Sequence, residues 1–121
     1  MRYRAYGSSY LLRQCPGSER AGGLTVVLAP KEAEVGTVSV EFTDWKTDEP
    51  IKYNYDWLVE AAILGANEAA ASLNLLKDFD IELCKFLVHD VDSSAALFRQ
   101  VARGAVHAAY EAWTAPYFSR D

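Results

Sequence analysis

The chain has 121 residues, a formal net charge of −5, half of its residues hydrophobic and only two cysteines. That length supports one hydrophobic core and excludes two. No apolar run approaches the roughly 20 residues that a membrane helix requires, and the opening MRYRAYGSSYLL has only two consecutive leucines, too few for a signal-peptide core. A soluble cytoplasmic protein without a membrane partner is the expectation.

The charge is unevenly spread. Residues 1–31 carry Arg2, Arg4, Arg13, Arg20 and Lys31 against Glu19, whereas 32–92 carry fourteen acids and four bases. Affinity for phosphates grows with each one neutralised, so any nucleic-acid contact belongs to the N-terminal part; the acids read as a solvated surface. Cys15 and Cys84 stand far apart with no CxxC spacing, which gives neither a disulfide framework nor a zinc site. Both are expected to stay reduced.

In chain order, Tyr3 to Arg13 reads as a strand rich in aromatics and leucine. Cys15 to Gly23, CPGSERAGG, is a turn cluster, and Leu24 to Ala29 is a short buried-type strand stopped by Pro30. Gly36 to Thr43 alternates with period two, placing Val38, Val40 and Phe42 on one side. These three strands are expected to form an antiparallel sheet. A helix should start near Asn54 or Asp56, either of which suits an N-cap, and run through Trp57, Leu58, Ala61, Ala62, Gly65 and Ala69 toward Leu73. Phe79 to Val88 alternates again, with Phe79, Ile81 and Leu83 inward. A second helix covers Ser93 to Trp113, with Leu97, Val101, Ala105, Ala108 and Ala112 along one stripe, and Pro116 bars its continuation. The order βββαβα predicts an α+β fold, a two-layer sandwich of a four-stranded sheet with both helices on one face. It occupies the chain as a single domain, with its core over 3–113 and a tail over 114–121.

The most unusual stretch is LVHDVDSSAALF, residues 87–98, where an apolar strand gives way to alternating aspartates and serines before a helix. Asp92 or Ser93 can cap that helix, where negative charge also suits the dipole. Ser93, His89 and Asp90 supply the residue types of a nucleophilic site, but no oxyanion donors can be read beside them. His89, Asp90 and Asp92 form at best a poor metal chelate. His107, mid-helix among alanines, reads as a packing or surface residue. The glycines at 17–23 lack the GxxxxGK[ST] pattern of a phosphate loop. No catalytic residue, cofactor or metal is therefore expected, and the chain is read as a non-enzyme.

The segment Ile81 to Ser94, IELCKFLVHDVDSS, resembles the strand and YDGSYHDVDSSE motif of domain IV in the elongation factor G and elongation factor 2 family, with Phe98 in the place of a family phenylalanine. A second stretch agrees: Leu11-Leu-Arg-Gln14, glycines at 17 and 22, a valine-rich strand and Pro30 resemble the family's FVRQSGGRGQYGHV and the strand after it. The resemblance spans about residues 3–113. It implies a βββαβα sandwich with a left-handed βαβ crossover, and two tip loops that reach the decoding centre of the ribosome. Arg13, Gln14, Gly17 and Arg20 would fall on one loop, and Lys85, His89 and Asp90 on or beside the other. His89 takes the place of the histidine that is modified in archaeal and eukaryotic relatives. The chain departs from the family in lacking the GTPase domain, in a tip turn PGSERAG (16–22) that gains Glu19, in Lys85-Phe86-Leu87-Val88 where the family has Asp-Gly-Ser-Tyr, and in Ala95 where it has glutamate.

Two functions follow. In the first, the chain is a translation-factor-like module that binds the ribosome or its RNA through both tips, with Arg13, Gln14, Arg20 and Lys85 on phosphates. In the alternative it is a protein-interaction module, or a subunit of a larger assembly, that kept the fold and lost RNA binding. Its partner, or a second copy in self-association, would meet Phe86, Leu87, Val88, Trp113, Tyr117 and Phe118.

Overall fold

A computed structural model describes residues 4–13, 20–89 and 93–115, with the backbone alone at 11–13 and 20. Strands β1 (Ala5–Arg13), β2 (Arg20–Pro30) and β3 (Val38–Val40), helix α1 (Asp56–Leu73), strand β4 (Phe79–Leu87) and helix α2 (Ala95–Thr114) follow in that order. The architecture is the α+β sandwich expected, with a four-stranded sheet ordered β1-β2-β4-β3.

The sheet is mixed, not wholly antiparallel. β1 and β2 form a hairpin in register from Ala5 opposite Leu28 to Arg13 opposite Arg20. β2 then pairs antiparallel with β4, and β3 lies parallel to β4, with Val38 opposite Ile81 and Val40 opposite Leu83. The expectation that the first three strands form one antiparallel sheet is therefore corrected: β4 sits between β2 and β3. The connection explains this, because α1 carries the chain from one end of β3 back to its beginning, and a helical crossover delivers a parallel neighbour. Beyond Val40 the edge continues only as single contacts, including the Glu41 amide on the Leu83 carbonyl at 2.8 Å and a parallel bridge between Asp44 and Phe86. The expected strand from Gly36 to Thr43 is thus shortened to three residues. β2 is longer than expected, taking in Arg20 to Gly23 from the turn cluster.

Alternate residues of each strand point into the core. Leu24, Val26 and Leu28 of β2 and Ile81 and Leu83 of β4 are fully buried in one cluster with Leu58, Ala62 and Ala66 of α1 and Phe98, Ala102, Ala105 and Val106 of α2. Phe79, also expected inward, is half-buried and packs against this cluster. Small residues bring the layers close. A Cβ on Gly7 of β1 would lie 2.1 Å from the Ala109 backbone nitrogen of α2, and one on Gly65 of α1 would lie 2.1 Å from the Arg99 carbonyl oxygen. α2 is therefore seated against backbone on two sides. Across the outside of the helix pair, Arg99 donates from Nε and Nη2, one edge of its guanidinium, to the two carboxylate oxygens of Glu68, and that hydrogen bond first lowers the Glu68 carboxyl below its ordinary value.

The helix ends differ slightly from expectation. Tyr55 occupies the N-cap of α1 without a side-chain hydrogen bond, and the Asn54 Oδ1 just before it accepts from the Asp56 amide at 3.0 Å. Asn74 closes α1 in the left-handed conformation at φ 53°, a position an asparagine tolerates well. α2 runs one residue past Trp113. Pro116, with the rest of the tail, lies outside the described residues. His107 is exposed.

Gly65→Ala is expected to lower unfolding free energy by about 1–3 kcal/mol, since the methyl group would have to push the α2 backbone away. Chemical denaturation monitored by circular dichroism measures it, and an unchanged midpoint would mean that the helices can part without loss.

Candidate functional site

The feature that organises one end of the sheet is a break in β4. Lys85 adopts φ 52°, a left-handed backbone that a lysine rarely takes, and the β2–β4 register shifts between Gly23 and Thr25 at the same place. One extra residue there reverses the alternation: Ile81 and Leu83 are inward before the bulge, and Phe86 is inward after it. The local conformation is held by loop 43–50. Thr43 accepts from the Lys85 amide through Oγ1 at 3.1 Å and from the Phe86 amide through its carbonyl at 2.7 Å, and the Trp45 amide donates to the Phe86 carbonyl at 3.1 Å. Asp44 braces this loop, accepting from the amides of Lys46 and Thr47 at 3.0 Å. The Thr47 bond first, and then that from Lys46, hold its carboxyl below the ordinary value.

The bulge settles where the sequence-predicted residues lie. Phe86 is fully buried, packed edge-on to Phe42 at 4.9 Å and stacked with Phe98 at 6.1 Å. The expectation that it belongs to an exposed protein-binding patch is corrected: it is a core residue. Leu87 and Val88 are half-buried, and Val88 lines an open groove of about 760 Å³ with Asp44, Glu49, Ile51, Tyr53 and Tyr55. Trp113 is at the opposite end of β4, edge-on to Phe79 at 4.8 Å. A strand of that length separates it from Leu87 by roughly 25 Å, so the supposed patch is not one surface. Tyr117 and Phe118 lie outside the described residues. The Lys85 ammonium is ion-paired with Asp48, which raises the lysine's affinity for its proton.

The connection between β4 and α2 closes on itself and onto the hairpin. The Ser93 amide donates to the His89 carbonyl at 2.9 Å, while the Ser93 hydroxyl accepts from the His89 amide at 2.8 Å and donates to the Ala21 carbonyl at 2.7 Å. Ala21 adjoins the last hairpin pair, Arg13 opposite Arg20. One buried hydroxyl therefore fastens the loop that carries exposed His89 to the end of the β1–β2 hairpin. The expectation that Ser93 caps α2 is corrected: Ser94 is the N-cap, its Oγ accepting from the Leu97 amide at 3.1 Å. Nothing in composition distinguishes the two serines, because their difference lies in which one faces Ala21. Gln14, Cys15, Gly17, Glu19, Asp90 and Asp92 lie outside the described residues, as do the side chains of Arg13 and Arg20.

On the face of the sheet away from the helices, the Tyr10 ring lies over Gly23 and 5.8 Å from the Trp45 ring. Its hydroxyl bonds Thr25 Oγ1 at 3.0 Å and the Lys85 carbonyl at 3.2 Å. Sequence reading passed over this pair, since neither residue belongs to a motif and only the folded sheet brings them together. Cys84, opposite Thr25, is a buried free thiol. Burial first, and then the Glu82 charge, push it from the usual 9.0 up to about 11.

Comparison with known proteins gives a fold and no family. No family model matches the chain, and no curated protein does. Among solved structures, a crystallographically determined protein of Thermus thermophilus is similar over 90% of this chain at 23% sequence identity, with a TM-score of 0.63. The chain spans 16% of that protein's length. Among the described residues no helix is long and apolar enough to cross a membrane.

Ser93→Ala is expected to cost about 1–3 kcal/mol, because it leaves the His89 amide and the Ala21 carbonyl without their partner; hydrogen exchange at His89 should quicken more than exchange in α1. Cys84 gives a pH signature. Its folded pKa lies above the unfolded value, so its contribution is fully present below about pH 9 and is lost as pH rises toward about 11. A Cys84→Ser variant, titrated by denaturation from neutral to alkaline pH, should lose less stability over that window than the parent.

Proposed function

We propose that the chain is a non-enzymatic binding module resembling domain IV of elongation factor G, which engages the ribosome at or near its RNA through the paired loops at one end of the sheet. The observation that carries this reading is the Ser93 hydroxyl, which joins the His89 loop to the β1–β2 hairpin beside Arg13 and Arg20. Among the described residues, the ends of the two stretches that resemble the family's tip loops, Ala21 and His89, are thereby neighbours in space. The fold supports it as well: a chain-sized unit of this architecture forms part of a much longer protein in Thermus thermophilus.

Positive charge on this end comes from the hairpin. Arg13 and Arg20 stand opposite each other in register, so two guanidinium-bearing residues share the last hairpin pair. Lys85 is partnered by Asp48 and would have to exchange that carboxylate for a phosphate to contribute. His89 is exposed at the start of the loop, and on this reading it meets a base or sugar. The protein-interaction reading loses Phe86, which is buried.

Co-sedimentation with ribosomes and isolated small subunits across a salt series tests the proposal. With two or three phosphates engaged, association should weaken roughly ten- to fortyfold between ~50 and ~200 mM salt. An Arg13→Ala, His89→Ala double variant should bind more weakly still while keeping the parent circular dichroism spectrum. Absence of binding at low salt by a folded protein overturns it.

A further inference from the structure

β1 is an edge strand. It pairs with β2 on one side, and no described segment pairs with it on the other. Natural edge strands are ordinarily blunted by shortness, charge, proline or a bulge. β1 is nine residues long, pairs in unbroken register, and carries no charge or proline between Ala5 and Leu12. Such an edge offers a row of backbone donors and acceptors to another strand.

We propose that this edge pairs with the same edge of a second copy, antiparallel about a twofold axis through Ser8, to form a continuous sheet across both copies. The strand's own pattern selects that partner. Tyr6, Ser8 and Tyr10 point to the face away from the helices and all are exposed, Tyr6 at 60% and Tyr10 at 39%. Residues opposite each other across an antiparallel pair share a face, so a dyad at Ser8 sets Tyr6 of each copy opposite Tyr10 of the other, whose ring leans inward over Gly23 and leaves the incoming Tyr6 its place, and sets Ser8 beside Ser8. Registers two residues to either side, with the dyad at Gly7 or Ser9, place a tyrosine against serine, and Tyr6 no longer meets Tyr10. The Ser8 register also sets Arg4 opposite the second copy's Leu12 and brings no like charges together.

The helix layer permits the approach. α2 lies over β1, and its side toward the open edge carries small residues: Gly104, against Ser9, and Ala108 one turn on. A Cβ on Gly104 would meet Ser9 Oγ at 3.0 Å, so this side of α2 sits low over the strand. Two such helices would run antiparallel across the dyad with Gly104 and Ala108 at the approach and exposed Gln100, His107 and Glu111 along its outer flank. The hairpin end of each copy would then point away from the other, leaving both tips accessible.

Sedimentation velocity over a concentration series, combined with thiol crosslinking in a Cys15→Ser background, tests the arrangement. The full chain should move toward twice its monomer mass as concentration rises. Tyr6→Lys, at an exposed position, should return it to monomer mass with an unchanged circular dichroism spectrum, while Tyr6→Phe should remain dimeric. A short bifunctional maleimide should link Ser8→Cys to itself. It should not link Arg4→Cys, whose copies would lie roughly 27 Å apart. A monomer at every concentration, a dimer indifferent to Tyr6→Lys, or efficient crosslinking through Arg4→Cys in place of Ser8→Cys overturns the proposal.

Discussion

Everything in this fold depends on how closely α2 is seated. The helix meets bare backbone on two sides, at Gly7 of the sheet and, through its own Arg99 carbonyl, at Gly65 of α1. Interiors pack at crystal-like density, so contacts of this kind leave no slack to absorb even one methyl group. With α2 fixed in this way, Ser94 and Ser93 at its start are fixed too, and with them His89, whose amide and carbonyl both bond Ser93. The candidate site is thus a product of helix packing before it is a product of loop sequence.

Much of this was legible in the residues. Period-two alternation through Ile81 and Leu83 marked β4, and alanines and glycines marked helices that pack tightly. The element order was enough for the layered architecture. Pairing partners were less accessible, because alternation says which face of β3 is buried and nothing about which strand lies beside it. β3 reads like the third strand of a meander, yet its neighbour arrives only after the whole of α1 has passed. Chain order favours the nearest strand, and the helical crossover overrules it.

The end of β4 was misread for a different reason. Continuing the alternation past Leu83 puts Lys85 inward and Phe86 outward, and a lysine can be explained away as a strand end. The left-handed turn at Lys85 restores Phe86 to the core, where it touches Phe42 and Phe98. Such a conformation in a non-glycine residue leaves no trace in composition. It exists because Thr43 and Trp45 supply the hydrogen bonds that hold it, and those residues are far away in sequence. Ser93 was misassigned on the same principle: two adjacent serines are chemically equal until the Ala21 carbonyl distinguishes them.

The bulge at Lys85 also restricts how this sequence can change over time. Deletion of Lys85 would remove the bulge and bring Phe86 into the next inward place after Leu83, so the core would keep its phenylalanine, while the reach to His89 would shorten by one residue and Thr43 Oγ1 would lose the amide that it holds. Substitutions elsewhere along the strand can drift one at a time, each judged on its own packing. At this point the length of the strand bears on where the His89 end meets the hairpin, and hardly on which side chains reach the core.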